Sequence, residues 1–171
     1  MVRIFSTARE MIKKKNGDKK VSDPAKDASE NGWIAKHRAE YLEDGEAAHD
    51  WDSSALGGPG ILPTLLLYTT GRKTGEERIM PLIYGEVDGA YVVIASKGGF
   101  PTHPGWFHNL MAQDKVKLKV RNEEFEATTR VAQDDERERI WKRMVEIYPP
   151  YEDYQQNAGA RIIPVVICER V

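Results

Sequence analysis

Short apolar runs alternate with tight turns from residue 62 onward, and this pattern constrains the fold more than any other feature. Two of the runs are joined by Asp88-Gly89, a strong signal for a two-residue β-hairpin. The predicted strands cover residues 62–70, 78–87, 91–96, 115–121, 125–131 and 161–171. About six short, mostly antiparallel strands predict an α+β fold built on a small closed or split β-barrel with flanking helices. Pro164 indicates that the last strand is an edge strand or contains a bulge.

Two helices are expected beside the barrel. The first covers residues 29–46 and has an apolar stripe at helical spacing, formed by Trp33, Ile34, His37, Tyr41 and Leu42. The second covers residues 134–147, begins with acidic residues and is stopped by Pro149-Pro150. The expected organisation is an N-terminal segment at residues 1–22, a linker with a packing helix at 23–60, and a barrel domain with the ligand site at 61–171.

The composition describes an ordinary globular chain without a general affinity for polyanions. Its 171 residues carry a net charge of −2, so the chain as a whole attracts neither nucleic acid nor an anionic membrane. The single Cys168 has no internal disulfide partner, and neither a membrane-spanning run nor a signal peptide is visible. These features predict a reducing, cytoplasmic location.

The first 20 residues differ from this average. They carry seven basic and two acidic residues, a net charge of +5, with apolar residues at helical spacing. Such a segment can form a basic amphipathic helix that lies peripherally on the inner face of the cell membrane. A solvated, partly disordered terminus is the alternative, and the sequence leaves both open.

Several common functional motifs are absent from the sequence. No G-x-G-x-x-G motif follows a strand, so a dinucleotide site of the Rossmann type is not expected. His103 and His108 have no acidic third ligand nearby, so no metal site is expected either.

A basic turn, TTGRKTGEER at residues 69–78, lies between the first two predicted strands. It is not a P-loop, because Lys73 precedes Gly75 and a strand, not a helix, follows it. Any anion bound here is therefore held by side chains on a β-hairpin, and the candidates are Arg72, Lys73 and Arg78.

A glycine corner lies in ASKGGFPTHPGWFHNL at residues 95–110, after the third predicted strand. The amides of Lys97-Gly98-Gly99 can face an anion, and a short helix starting near Pro104 would direct its N-terminus toward them. The ends of the first and third strands can lie close together in a barrel. The corner and the three cations of the basic turn can then converge on one polyanionic ligand. The alternative is that these cations protect a sheet edge from aggregation.

Large aromatic rings accompany the cations. Trp106 follows the glycine corner, and YPPYEDY supplies Tyr148, Tyr151 and Tyr154. Flat apolar faces beside Arg and Lys suit a planar heteroaromatic ligand with a phosphate tail. The tyrosines could alternatively cap the core.

Three stretches together carry a family resemblance: LLLYTTGRKTGEERIMPLIYG, VVIASKGGFPTHPGWFHNL and YPPYEDYQQNAGARIIPVVICE. Over roughly residues 30–171 the chain resembles the deazaflavin-dependent nitroreductase family. Members of that family are split-barrel oxidoreductases that use the 8-hydroxy-5-deazaflavin coenzyme F-420. The resemblance implies the same fold and coenzyme here. It also implies that the phosphate and glutamyl tail is bound by Arg72, Lys73, Arg78, Lys97 and Gly98.

The resemblance assigns further residues to the ring of the coenzyme and to the substrate. Pro81 and Ser96 would flank the deazaflavin, and Trp106 and Asn109 would close over it. The tyrosine segment would shape the substrate side. The candidate catalytic residues are Ser96, Tyr148, Tyr151 and Tyr154. Related barrels often pair through their sheets, so a homodimer is a further expectation.

These implications predict an F-420-dependent reductase that transfers a hydride to an activated double bond such as an enone, to a quinone or to a nitroaromatic compound. No side chain can carry a hydride, so the coenzyme is required. Tyr151, Tyr154 or Ser96 could donate a hydrogen bond to the anion that hydride transfer creates, with solvent as the alternative proton source. Two other functions stay open: an FMN-dependent oxidoreductase on the same barrel, and a non-catalytic protein that binds or carries F-420.

Overall fold

The computed structural model describes residues 32–171, and its centre is an antiparallel β-barrel. The strands are β1 (Asp50–Asp52), β2 (Ile61–Thr70), β3 (Glu77–Val87), β4 (Ala90–Ile94), β5 (Lys115–Val120), β6 (Glu123–Val131) and β7 (Val165–Arg170). Six of them follow each other around the barrel in the order β2-β3-β4-β7-β6-β5, and β5 pairs back to β2. The short β1 pairs with the beginning of β2 outside this ring. The expected barrel of about six strands is confirmed.

The helices lie against the barrel wall. They are α1 (Trp33–Glu43), α2 (Gly45–Ala48), α3 (Gly105–Met111), α4 (Asp134–Ile147) and α5 (Pro150–Asn157). The bounds predicted for α4 are confirmed. The sequence reasoning missed α5. Pro150 does not only end what precedes it, because proline fits the first turn of a helix and opens α5 here.

The predicted apolar stripe of α1 was wrong in two residues. Ile34, His37 and Tyr41 are buried, whereas Trp33 and Leu42 are each 44 % exposed. The three buried positions form one face of the helix, and Tyr41 packs there on Leu66 of β2. Its hydroxyl donates a hydrogen bond of 2.7 Å to the carbonyl of Thr64.

The burial of β2 follows from its position between two apolar layers. Residues that face inward, such as Leu65 and Leu67, belong to the barrel interior. Residues that face outward, such as Leu66 and Tyr68, are covered by the side of the fold that carries α1. A third cluster, which includes Ile140 of α4, packs α4 and α5 on another part of the barrel wall. The run LLLY is therefore continuously apolar because both of its faces are buried.

The barrel is split beside β3, because β3 is much longer than the strand that follows it. Residues 84–87 of β3 pair with β4, while residues 77–83 pair only with β2. Pro81 lies in this second part, where one edge of the strand lacks a ladder partner, so its missing N–H breaks no hydrogen bond on that edge. The Asp88-Gly89 hairpin is confirmed, and both residues have positive φ, of 52° and 78°.

The expectation for the last strand needs a correction. β7 begins after Pro164, and it is an interior strand with β4 on one side and β6 on the other. Proline is tolerated because it precedes the paired residues; no edge or bulge is needed.

The predicted basic helix or disordered segment at residues 1–22, and the first residues of the helix predicted from 29, lie outside the described residues. Across residues 32–171, no helix has the length and apolar character that a membrane crossing requires.

Candidate active site

A cleft of about 460 Å³ opens where the barrel is split. Met80, Pro81 and Leu82 of β3 form one side of it. The glycine corner after β4 and the tyrosines around α5 line it as well, and α1 contributes a further wall. This volume lies within the range of about 300–1,000 Å³ that is typical of small-molecule sites. The lining is mainly apolar and aromatic, which suits the ring of a deazaflavin and a second flat ligand.

The glycine corner has an unusual backbone conformation. Lys97, Gly98 and Gly99 all have positive φ, of 49°, 59° and 82°. A Cβ on Gly99 would lie 2.7 Å from the carbonyl oxygen of Tyr154, so glycine is required where the corner packs on α5. A Cβ on Gly98 would meet nothing within 4 Å, and this residue faces the cleft. The corner therefore brings its backbone close to whatever the cleft binds.

Asn109 holds the basic turn on the barrel. Its Oδ1 accepts hydrogen bonds from the amide of Arg72 at 3.1 Å and from Nη1 of the same residue at 3.2 Å. Its Nδ2 donates to Oγ1 of Thr69 at 3.4 Å. Asn109 is buried beneath the turn, so in this structure it supports Arg72 and does not line the cleft.

Cations of the basic turn and of the glycine corner converge around His108. Its pKa is lowered by burial and also by the positive charges of Arg72, Lys97 and Lys73, in that order. The two motifs are far apart in sequence, and the closed barrel brings their charges to one place. Arg78 instead forms an ion pair of 2.8 Å with Glu76. The donor set around His108 suits the phosphate and carboxylates of a polyanionic tail.

Three tyrosines that line the cleft pack together, with ring centroids between 4.8 and 6.3 Å apart. The hydroxyls of Tyr148 and Tyr154 are 2.8 Å apart, and the hydroxyl of Tyr148 also donates to the carbonyl of Leu56 at 3.4 Å. Because Tyr148 uses its own proton in the bond to the Leu56 carbonyl, Tyr154 is the donor in the bond between the two hydroxyls. The protons of both hydroxyls are thus already used within the protein.

Tyr151 differs from its two neighbours. Every fully buried side-chain nitrogen or oxygen in the described part of the chain has a hydrogen-bond partner. The Tyr151 hydroxyl makes no hydrogen bond within the described residues, so its oxygen is not fully buried. Because Tyr151 lines the cleft, this oxygen is accessible from the cleft. Burial raises the pKa of this hydroxyl, which therefore keeps its proton at neutral pH. Of the three tyrosines, Tyr151 is the one whose hydroxyl proton has no acceptor within the described residues.

An aromatic wall, formed by Trp33, His37 and Trp51, closes another side of the cleft. Trp51 stacks on Trp33 at 5.1 Å and on His37 at 5.7 Å, with interplanar angles of 21° and 15°. Nε2 of His37 lies 3.0 Å from the carbonyl of Ala48, to which it donates, and burial lowers the pKa of the ring. His37 is therefore neutral, and the wall presents uncharged, nearly parallel rings.

The structure brings most of the predicted site residues to this one cleft. Those that line it are Pro81, Ser96, Lys97, Gly98, Trp106, Tyr148, Tyr151 and Tyr154. Those that do not line it are Arg72, Lys73, Arg78 and Asn109. The roles assigned to all of them stay predictions.

The sequence reasoning missed two residues of this region. Trp51 was not singled out, because an isolated Trp in a three-residue strand carries no periodic signal. Arg161 was not singled out either, although its guanidinium holds the glycine corner through several hydrogen bonds. No local pattern could have identified Arg161, because its partners are about 60 residues away in the sequence.

The fold and the cleft define a split-barrel reductase, and comparison with known proteins gives the family. Residues 46–170 match the F420H(2)-dependent quinone reductase family, and the chain belongs to it. An F420H(2)-dependent quinone reductase of Mycobacterium tuberculosis is 36 % identical over 143 residues, which are 81 % of this chain and 96 % of that protein.

Two solved structures are also similar. One is an F420-H2 dependent reductase (FDR-A), 42 % identical, with a TM-score of 0.57 over 63 % of this chain and 94 % of the other. The second is described as a domain-swapped dimer, 35 % identical, with a TM-score of 0.59 over 79 % of this chain and 96 % of the other.

The predicted family, fold and enzyme class are thereby confirmed, and so is coenzyme F-420 as the cofactor. The protein is an F-420-dependent oxidoreductase, and neither the FMN alternative nor the carrier alternative is needed.

Proposed function

We propose that this protein reduces a quinone, taking the hydride from reduced coenzyme F-420 bound beside the glycine corner. The observation that carries the proposal is the single cleft that joins the corner, the tyrosines and the aromatic wall. A coenzyme ring and a flat acceptor can both contact its lining. Family membership supports a quinone as the acceptor.

The coenzyme side of the cleft is the side of the corner. Ser96 and Pro81 line it and would contact the deazaflavin ring, and Trp106 would cover part of the ring. The tail would extend toward the cations around His108, of which Lys97 lines the cleft and Arg72 and Lys73 do not. When bound, the coenzyme supplies two electrons as a hydride, which no side chain of the protein can do.

The acceptor side would be the aromatic wall together with Tyr151. The stacked rings of Trp33 and Trp51 offer a flat apolar surface to a quinone ring. The Tyr151 hydroxyl, whose proton is not used within the described residues, would donate a hydrogen bond to a quinone oxygen. That bond would stabilise the negative charge which develops on the oxygen as hydride arrives, and proton delivery to it can contribute about 10²–10⁴ in rate.

Enones and nitroaromatic compounds develop charge on an oxygen in the same way, so the same donor would serve them. We expect them to be slower substrates than quinones, because family membership supports a quinone as the acceptor.

The proposal is tested by mixing the protein with reduced F-420 and a short-chain naphthoquinone without oxygen, and following the return of oxidised deazaflavin absorbance. We expect oxidation that depends on both protein and quinone. Reduced FMN in place of F-420 is the control and should give no protein-dependent rate. A protein that uses reduced FMN and ignores reduced F-420 would refute the proposal.

Tail binding is tested by removing one cation from each basic motif. Lys73→Ala combined with Lys97→Ala should weaken F-420 binding by roughly 10–100-fold, since contacts to charged groups are worth about 1–3 kcal/mol each before solvent screening. The loss should be larger at low salt, where the charges are less screened. Lys36→Ala with Lys142→Ala removes the same charge from exposed helix positions outside both basic motifs and outside the cleft lining, and is the matched control. Equal affinities for the two double variants would refute tail binding at this site.

Two further properties belong to the proposal. A relative described as a domain-swapped dimer supports a homodimer, which sedimentation velocity of the purified chain would test. The peripheral membrane contact of residues 1–20 stays a prediction, and co-sedimentation with anionic vesicles would test it.

A further inference from the structure

Arg161 is joined to the glycine corner by more hydrogen bonds than its place in a connecting loop would require. Its Nε and Nη2 donate to the carbonyl of Phe100 at 2.9 and 2.6 Å. Nη1 donates to the carbonyl of Ala95 at 3.0 Å, and Nη2 donates to that of Ser96 at 2.7 Å. Nη1 also lies 3.3 Å from Nδ1 of His103. One guanidinium thus donates hydrogen bonds to carbonyls on both sides of the corner.

These bonds act on a segment that is costly to form. Lys97 has a φ of 49°, a conformation that costs a residue with a Cβ about 1–2 kcal/mol. The turn itself supplies only two internal hydrogen bonds, from the amide of Gly99 to Ser96 and from that of Phe100 to Lys97. The planar fork of an arginine can satisfy several carbonyls in a fixed arrangement, which a lysine cannot.

The carbonyl directions also determine what the corner presents to the cleft. With the carbonyls of Ala95, Ser96 and Phe100 turned to Arg161, the Gly98 backbone and the Lys97 side chain remain on the cleft side, which both residues line. The amide of Gly98 makes no backbone hydrogen bond within residues 32–171. Arg161 itself does not line the cleft.

We propose that Arg161 is a positioning residue that holds the glycine corner in the left-handed conformation required to bind the anionic tail of the coenzyme. The proposal rests on the proposed function for the identity of the ligand. The conformational part concerns the free protein and can be measured without any ligand. Arg161 acts through the corner and makes no contact with the coenzyme.

The test compares Arg161→Lys and Arg161→Gln with Arg137→Gln. Arg137 is a matched control, because its Nη2 donates to the carbonyl of Ile163 at 2.8 Å and burial lowers its pKa, as burial lowers that of Arg161. It anchors the neighbouring segment but does not touch the corner. Hydrogen exchange of the ligand-free proteins reports on the amides of Gly99 and Phe100. We expect exchange at least 10-fold faster in both Arg161 variants and unchanged in Arg137→Gln. Unchanged exchange in the Arg161 variants would overturn the proposal.

Binding gives the second measurement. Affinity is compared for F-420 and for the same deazaflavin without its phosphate and glutamyl groups. We expect both Arg161 variants to bind F-420 roughly 10-fold more weakly and the tail-free ring within about 2-fold of wild type. Retention of F-420 affinity by Arg161→Lys would show that charge, not geometry, matters, and would overturn the proposal. Equally weakened binding of F-420 and of the tail-free ring would show that Arg161 has only a general structural role, and would overturn the proposal.

A chemical rescue separates positioning from folding. Free guanidinium ion at millimolar concentration should restore part of the F-420 affinity of Arg161→Ala, and should not affect Arg137→Ala. Failure of wild-type protein to bind F-420 would refute the proposed function, while the exchange measurement would still decide the role of Arg161.

Discussion

The contact between the glycine corner and α5 can be tested with two adjacent glycines. Gly98 and Gly99 both have positive φ, of 59° and 82°, so alanine at either position pays the same kind of backbone strain. The two glycines differ in what surrounds them. A Cβ on Gly99 would lie 2.7 Å from the Tyr154 carbonyl oxygen, whereas one on Gly98 meets nothing within 4 Å. The pair therefore separates backbone strain from packing.

The magnitudes follow from these two terms. A left-handed conformation costs an alanine about 1–2 kcal/mol, which is the whole expected loss of unfolding free energy for Gly98→Ala. Gly99→Ala adds overpacking of about 1–3 kcal/mol, for a total of about 2–5 kcal/mol. Ordinary contact begins at 3.4 Å, so the corner and α5 must separate by about 0.7 Å to accept the new methyl group. That displacement would move Tyr154, and misplacements near 1 Å can cost about 100-fold in rate.

Urea unfolding followed by circular dichroism measures the two free energies, and steady-state assay with saturating F-420 measures turnover. We expect Gly99→Ala to be less stable than Gly98→Ala by about 1–3 kcal/mol and to lose turnover. Equal destabilisation of the two variants would show that the corner does not pack on α5 as described, and would refute the reasoning.

Two further predictions concern Tyr151 and His108. Tyr151→Phe should lower kcat by roughly 10-fold or more with little change in F-420 affinity, because its hydroxyl, unlike those of Tyr148 and Tyr154, is not bonded within residues 32–171. Tyr148→Phe is the control, and equal kcat for wild type and Tyr151→Phe would show that solvent supplies the proton. Burial and, after it, the charges of nearby cations lower the pKa of His108, so its ring is mostly neutral at pH 7 in the free protein. A bound polyanion would raise that pKa and draw a proton from solution, so F-420 affinity should increase as the pH falls toward the pKa of His108 in the complex. Titrations between pH 5 and 8 would show this slope, and His108→Asn should flatten it; an identical slope in that variant would contradict the assignment.

Much of the architecture was predictable because it depends on local patterns. The alternation in β5 places Val116 and Leu118 inside the barrel, as the period of a strand requires. The acidic first turn and the apolar face of α4 gave its bounds correctly. Both basic motifs were recognisable because glycine next to lysine or arginine at a turn is a local signature.

Other features were not predictable, because they arise only when distant segments meet. Pro150 was interpreted only as the end of a helix, since no local rule tells a helix stop from the first turn of the next helix. Pro164 was interpreted as an edge signal, although β7 lies inside the barrel. Trp33 was assigned to a buried stripe, yet it stacks on Trp51 at the wall of the cleft.

The sequence by itself therefore determined the strands, the turns and the chemical character of each motif, because hydrophobic periodicity and glycine conformations act over a few residues. Only the tertiary structure decided which motifs meet. The closed barrel places Arg72 and Lys97 around His108, and it brings Arg161 to carbonyls about 60 residues earlier in the chain. Contacts of this kind are settled by how strands pair and where the barrel splits, and that pairing is a property of the whole chain.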